Sequence, residues 1–190
     1  MLLTPGCGPD LTASLSFVAS DGDATAIPGA ISTVHRYVMP LRRDVVWDRM
    51  TDVGAYRSWW AWLRRFDATE LTAGAEWRCE VQPPLPYIVR FRIAIDNVEA
   101  GSVVRARVLG DVVGEATLLL RDLEPGDVEG DAEFESSVGC VASLHSSLAP
   151  GNTALRVMSR FAAPLARFGH DWVLDSGARQ FISRAFVPSD

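Results

Sequence analysis

Lysine is absent, and all 18 basic residues are arginine. Without a side-chain primary amine the chain cannot form a lysine Schiff base or tether pyridoxal phosphate covalently, so those enzyme classes fall away. The same absence, beside abundant Ala, Gly, Arg and Val, is what a GC-rich genome produces, so it speaks of source as much as of mechanism. Cysteine is scarce: Cys7, Cys79 and Cys140 are odd in number, widely spaced and without a C-x-x-C pair. That pattern suggests neither a disulfide framework nor a thiolate metal site, and fits a reducing cytoplasm. No run approaches the roughly 18 apolar residues of a membrane span. The first residues also lack the basic region and apolar stretch of a signal peptide, so the expectation is a soluble, cytoplasmic protein. Cations are in deficit, with a net charge of -6 and a pI near 5.1. This argues against nucleic acid or an anionic membrane as partner, because both require clustered positive charge.

What is present is a globular balance, 48% hydrophobic and 22% charged, enough for one well-buried core. Residues 1–28 mix Gly, Pro, Ser, Thr and Asp without periodicity and read as a flexible leader outside the core. The remaining 29–190 read as a single domain. A β-rich run over 31–38 precedes Pro40, and Val45, Val46, Trp47 and Met50 mark an amphipathic helix over 41–51. A second short helix is expected over 55–63.

The period then changes to two. Trp77, Cys79 and Val81 alternate with Arg78, Glu80 and Gln82, and Tyr87, Val89, Phe91, Ile93 and Ile95 form a second apolar line. Val104, Ala106 and Val108, then Ala116, Leu118 and Leu120, then Phe134, Ser136, Val138 and Cys140 continue it, with turn residues between. The segment 141–152 is Ser-rich and leaves the end of the last strand open. Helical character runs over 152–186, divided by Pro164, with His170, Leu174, Gly177, Phe181 and Ala185 on one face.

This order of strand, two short helices, a run of strands and a long helix resembles the START-like superfamily, the polyketide cyclase/dehydrase and lipid-transport branch included. The run Val46-Trp47-Asp48-Arg49-Met50-Thr51-Asp52, then Tyr56 and Trp59-Trp60, resembles that family's first helix, its break and its aromatic second helix. Leu109-Gly110-Asp111 resembles its central hairpin, and His170-Asp171 with Gly177 its last helix. The resemblance covers about residues 31–187. It implies an α+β helix-grip fold, a curved antiparallel sheet of about six or seven strands wrapped around the carboxy-terminal helix, with an apolar cavity between them.

Trp59, Trp60, Trp77, Tyr87, Phe91 and Phe134, with His170, Leu174, Gly177 and Phe181 on the helix, are the candidate lining of that cavity. Each of these aromatics is equally a core residue in pattern. His170 is the candidate acid or base, since imidazole titrates near neutrality. His35, His145 and His170 lack short metal-ligand spacing, so no metal and no cofactor are expected. Ser143, Ser146 and Ser147 near His145 lack a nucleophile-elbow context and read as a loop. The Gly110/Gly114 and Gly126/Gly130 spacings match no phosphate-binding fingerprint, and the acidic run 124–135 reads as a solvated hairpin.

Three functions remain open at this point. One is binding of a small hydrophobic or amphipathic metabolite in the cavity. By family analogy, another is a cyclase or dehydratase acting on a bound poly-carbonyl chain. The third is a non-catalytic interaction module using exposed aromatics around Trp59 and Trp62. Oligomeric state is not encoded in any of these patterns.

Overall fold

The computed structural model describes residues 30–127, 138–152, 155–156 and 163–186, with side chains from 167 onward in the last span. Seven strands form one antiparallel sheet: β1 (Ile31–Met39), β2 (Leu63–Asp67), β3 (Glu76–Val81), β4 (Val89–Glu99), β5 (Val103–Gly110), β6 (Val112–Asp122) and β7 (Cys140–Pro150). Their order is β1-β7-β6-β5-β4-β3-β2. Helix α1 (Arg43–Thr51), a 3-10 turn (Val53–Ala55) and α2 (Tyr56–Trp59) carry the chain from the β1 edge to the β2 edge. The long helix α3 (Ala163–Arg184) starts one residue before Pro164, in the first turn, where a missing amide donor breaks no helical bond. This is the helix-grip arrangement expected from the sequence.

Residues paired directly across antiparallel strands lie on the same face, so the register defines the inner surface. One row runs His35, Leu144, Leu118, Val104 and Val98. The next runs Thr33, Ser146, Ala116, Ala106 and Ile95. The sheet bends at irregularities between Ile95 and Asn97 and between Leu63 and Arg65. Phe181 of α3 and Ala185, just after its last residue, are buried in one cluster with Val104, Ala106 and Leu120, so the helix covers this inner face. Val46 of α1 is fully buried, which stabilises the fold by about 1.5–3 kcal/mol.

Two expectations are corrected. The helix expected over 55–63 stops at Trp59, and Leu63 opens β2 instead. Leu63 and Phe66 point inward while Arg64 and Arg65 both face out, because the bulge adds a residue between them. That extra residue erases the alternation from which a strand is read. The Ser-rich segment read as a loop is β7, hydrogen-bonded on both sides by β1 and β6. Its inward positions are Ala142, Leu144, Ser146 and Leu148. Ser146 breaks the apolar line yet is satisfied, its Oγ lying 2.9 Å from Thr33 Oγ1. Phe134 and Ser136, expected on this last strand, lie outside the described residues.

The Leu109-Gly110-Asp111 turn ties three remote segments together. Asp111 accepts from the Arg90 backbone N–H at 2.8 Å and from Asn152 Nδ2 at 2.7 Å. Asn152 Oδ1 accepts in turn from the Leu155 N–H at 2.7 Å. Gly110 has φ +136° and sits so close to β4 that a Cβ would lie 2.7 Å from the Arg90 carbonyl oxygen.

Candidate functional site

On β1 the period of two turns Thr33, His35, Tyr37 and Met39 inward. The first three are polar, as is Ser146 beside Thr33, on a face otherwise built mainly from Val, Leu, Ile and Ala. On α3, Asp171 and Asp175 are one turn apart and therefore on one side of the helix. The helix lays that side on β1. His35, only 5% exposed, has Nε2 3.7 Å from Asp171 Oδ1 and Nδ1 3.9 Å from Asp175 Oδ1. Tyr37 donates its hydroxyl to Asp175 Oδ1 at 3.2 Å. His170 Nδ1 lies 3.2 Å from the same Asp171 oxygen, and its ring centre is 5.9 Å from that of His35. The result is a compact group of two imidazoles, two carboxylates and a phenol between sheet and helix.

The electrostatics are mixed. Burial, aided by His170, pushes the His35 pKa down, while Asp171 and Asp175 oppose that shift. The net direction favours the neutral imidazole, in which one ring nitrogen accepts. Burial and then Asp175 push the Tyr37 phenol well above its ordinary value, so it stays protonated and donates. The distances from His35 to its two carboxylates are too long for hydrogen bonds. Among the described residues this buried imidazole has only near neighbours.

Of the residues singled out from sequence, His170 belongs to this group. Trp59, Trp60, Trp77 and Phe181 come together elsewhere, in an aromatic cluster with Tyr56 and Phe66. Trp59 meets Phe181 edge-on at 5.4 Å, and Tyr56 stacks on Phe66 at 5.3 Å. Three polar tips in it are satisfied: Trp60 Nε1 by the Gly177 carbonyl at 2.9 Å, Trp77 Nε1 by Glu70 at 2.8 Å and Tyr56 by Met50 at 2.6 Å. Gly177 is buried against this cluster, where a Cβ would meet Trp62 Cζ2 at 3.4 Å. Phe91 is half-buried opposite Cys79, Leu174 is half-buried on α3, and Phe134 lies outside the described residues. Tyr87 precedes β4 rather than lying in it, with its hydroxyl near the Gly169 backbone. An open cleft of about 390 Å³ adjoins the aromatic cluster, lined by Trp62, Gln82, Pro83, Leu85 and Trp172 among others.

Tyr37 and Asp175 were not singled out from the sequence, His35 was weighed only for metal-ligand spacing, and Asp171 entered only as part of the last-helix motif. The available signal was the polar inward face of the first strand. Nucleophilic sulfur is not on offer among the described residues, since burial pushes the thiols of Cys79 and Cys140 up to about 12 and about 11. Also among the described residues, no helix is long and apolar enough to cross a membrane.

No protein-family model matches the chain, and no curated protein matches its sequence. Solved structures do match its shape. A Thermus thermophilus protein aligns with a TM-score of 0.64 and 12% identity over 84% of this chain and 100% of its own. A START superfamily protein from Mycobacterium smegmatis gives 0.59 and 10% over 83% and 97%. An aromatase/cyclase from Streptomyces gives 0.57 and 13% over 82% and 91%. At such identities the likeness speaks of architecture. With the seven-stranded sheet closed on α3, it gives the chain the START-like helix-grip fold.

Proposed function

We propose that the domain binds a small amphipathic metabolite between sheet and α3, its apolar body against the inner face and its polar end at the His35–His170–Asp171 group. The observation that carries this reading is His35, a buried imidazole held short of hydrogen-bond distance from both its carboxylates. A ligand hydroxyl or carbonyl would supply the close hydrogen bond that neither carboxylate makes to His35. The surrounding Val, Leu and Ala positions supply apolar area at roughly 25 cal/mol per Å². Structural neighbours in this fold include an aromatase/cyclase and norcoclaurine synthase, which supports a small-molecule role.

The test is a tryptophan-fluorescence titration with a matched pair of probes, 1-naphthol and naphthalene. Both should saturate, with naphthol about two- to tenfold tighter, the worth of one net hydrogen bond. In the His35→Gln/His170→Gln double variant that preference should shrink. Absence of saturable binding by either probe would overturn the reading.

A cyclase or dehydratase acting on a poly-carbonyl substrate is the second reading, favoured by one further observation. Asp171 Oδ1 faces both imidazoles, an arrangement suited to moving a proton between them. His170→Gln would then bind substrate normally yet lose turnover. The interaction-module reading loses its premise, because Trp59 is buried and Trp62 half-buried.

A further inference from the structure

The group on β1 and α3 has features that ligand binding does not require. Asp171 and Asp175 are like charges at i and i+4, a pairing that weakens a helix, and both are aimed at one imidazole. His170 reaches the same point from the helix. One ligand atom from each of His35, His170 and Asp171 lies within 4.8 Å of the other two, and Asp171 Oδ1 is 3.7 Å from His35 Nε2 and 3.2 Å from His170 Nδ1. Donors at about 2.0–2.1 Å from a tetrahedral zinc ion stand about 3.4 Å apart, so the observed separations bracket the required one. The other nitrogen of His35 faces Asp175, which is itself held by the Tyr37 hydroxyl. A ligating histidine whose second nitrogen meets a hydrogen-bonded carboxylate is the usual outer layer of a metal site.

We propose that His35, His170 and Asp171 form a binding site for a divalent transition-metal ion of the zinc class, with Asp175 and Tyr37 orienting His35. The ion sits between groups that otherwise crowd negative charge against a buried imidazole, and it offsets the Asp171–Asp175 repulsion. Three protein donors leave a coordination position open, which suits an oxygen donor on a small molecule rather than a purely structural ion. The site uses the same His35, His170 and Asp171 atoms as both earlier readings: with the ion bound, a metabolite's polar end meets the ion instead of the imidazoles, and the proton relay is blocked because a metal-bound nitrogen cannot carry a proton.

The experiment uses the full chain without a histidine tag, stripped with chelator and titrated with Zn²⁺ against a chromophoric competitor. Co²⁺ absorption serves as a second readout. One equivalent should bind. His35→Gln, His170→Gln and Asp171→Asn should each weaken binding more than Asp175→Asn, whose loss should be about 10–100-fold as for an outer partner. His145→Gln, at an exposed position of β7, should leave affinity unchanged. Thermal melts check that each variant folds. If buried His35 does not tolerate glutamine, the partly exposed His170 and Asp171 variants carry the same test. Less than one equivalent bound, binding insensitive to the ligand substitutions, or loss on His145→Gln equal to that of the others would overturn the site. Because metal binding is read without any metabolite, its failure and that of the naphthol experiment are separate results.

Discussion

Gly177 illustrates how a single position can be decided by its neighbours. Glycine inside a helix is unfavourable by about 1 kcal/mol relative to alanine. A methyl group there meets Trp62 Cζ2 at 3.4 Å and Trp60 Nε1 at 4.0 Å, both ordinary contacts. Gly177→Ala should therefore stabilise the protein by up to about 1 kcal/mol in a urea melt. Gly177→Leu should overpack the two indoles and destabilise it by about 1–3 kcal/mol. Wild-type stability for the leucine variant would mean open space where the contacts place tryptophan. Gly177 and His170 were legible from the sequence, because helical spacing groups them and a mid-helix glycine asks for a reason. The partners of His170 were not, since Tyr37 and Asp175 meet across 138 residues of chain and no local spacing relates them. The expectation of no metal rested on spacing within one element. It did not weigh donors far apart in sequence, supplied by a strand and a helix that pack together.

Elements were legible where their alternation is clean. Strand β3 carries apolar and charged residues in strict turn, and β4 to β6 keep an apolar line at every second position with charges at several of the others. A bulge hides β2, and one inward serine hides β7. Edge strand β1 is secured on its outward side as well: Arg36 pairs with Asp127, which Arg121 also grips, with one contact of 2.6 Å. Hydrogen bonding from Arg121 is the main reason the Asp127 carboxyl is held well below the usual carboxylate range. A depressed carboxylate stabilises the fold above its unfolded pKa, near 3.9, and loses that contribution as pH falls through the lower folded value. Asp127→Asn should thus be less stable than wild type at pH 7. In melts at successive pH values the gap should persist to about pH 4 and close below it. A gap that does not change with pH would assign the effect to packing instead of charge.

At the scale of the whole molecule, the Asp111 carboxylate joins the start of β4, the β5–β6 turn and the segment after β7. Asp111→Ala leaves an amide and a side-chain NH₂ without their acceptor, and should lower stability by about 1–3 kcal/mol in a denaturant melt. An unchanged melt would mean that water replaces the carboxylate at both donors. The overall architecture was legible from the order of elements alone, because few folds place two short helices after the first strand and a long one after the last. The location of the polar group was not, because it depends on which strand finally lies beside which.

The pairing of β1 with β7 has a kinetic consequence. Ser32 and Ser147 meet across 115 residues, so among the described strands the first has no sheet partner until the seventh has been made. Pairings of that separation form slowly, since the entropy of closing the intervening chain is lost before any contact offsets it. During synthesis His35 emerges early and waits, while β2 to β6 can assemble hairpin by hairpin. The sheet then closes last at the edge that carries the functional side chains. Formation of the His35 environment is therefore a late event in refolding, and a probe on β1 should report it after one on β4 or β5.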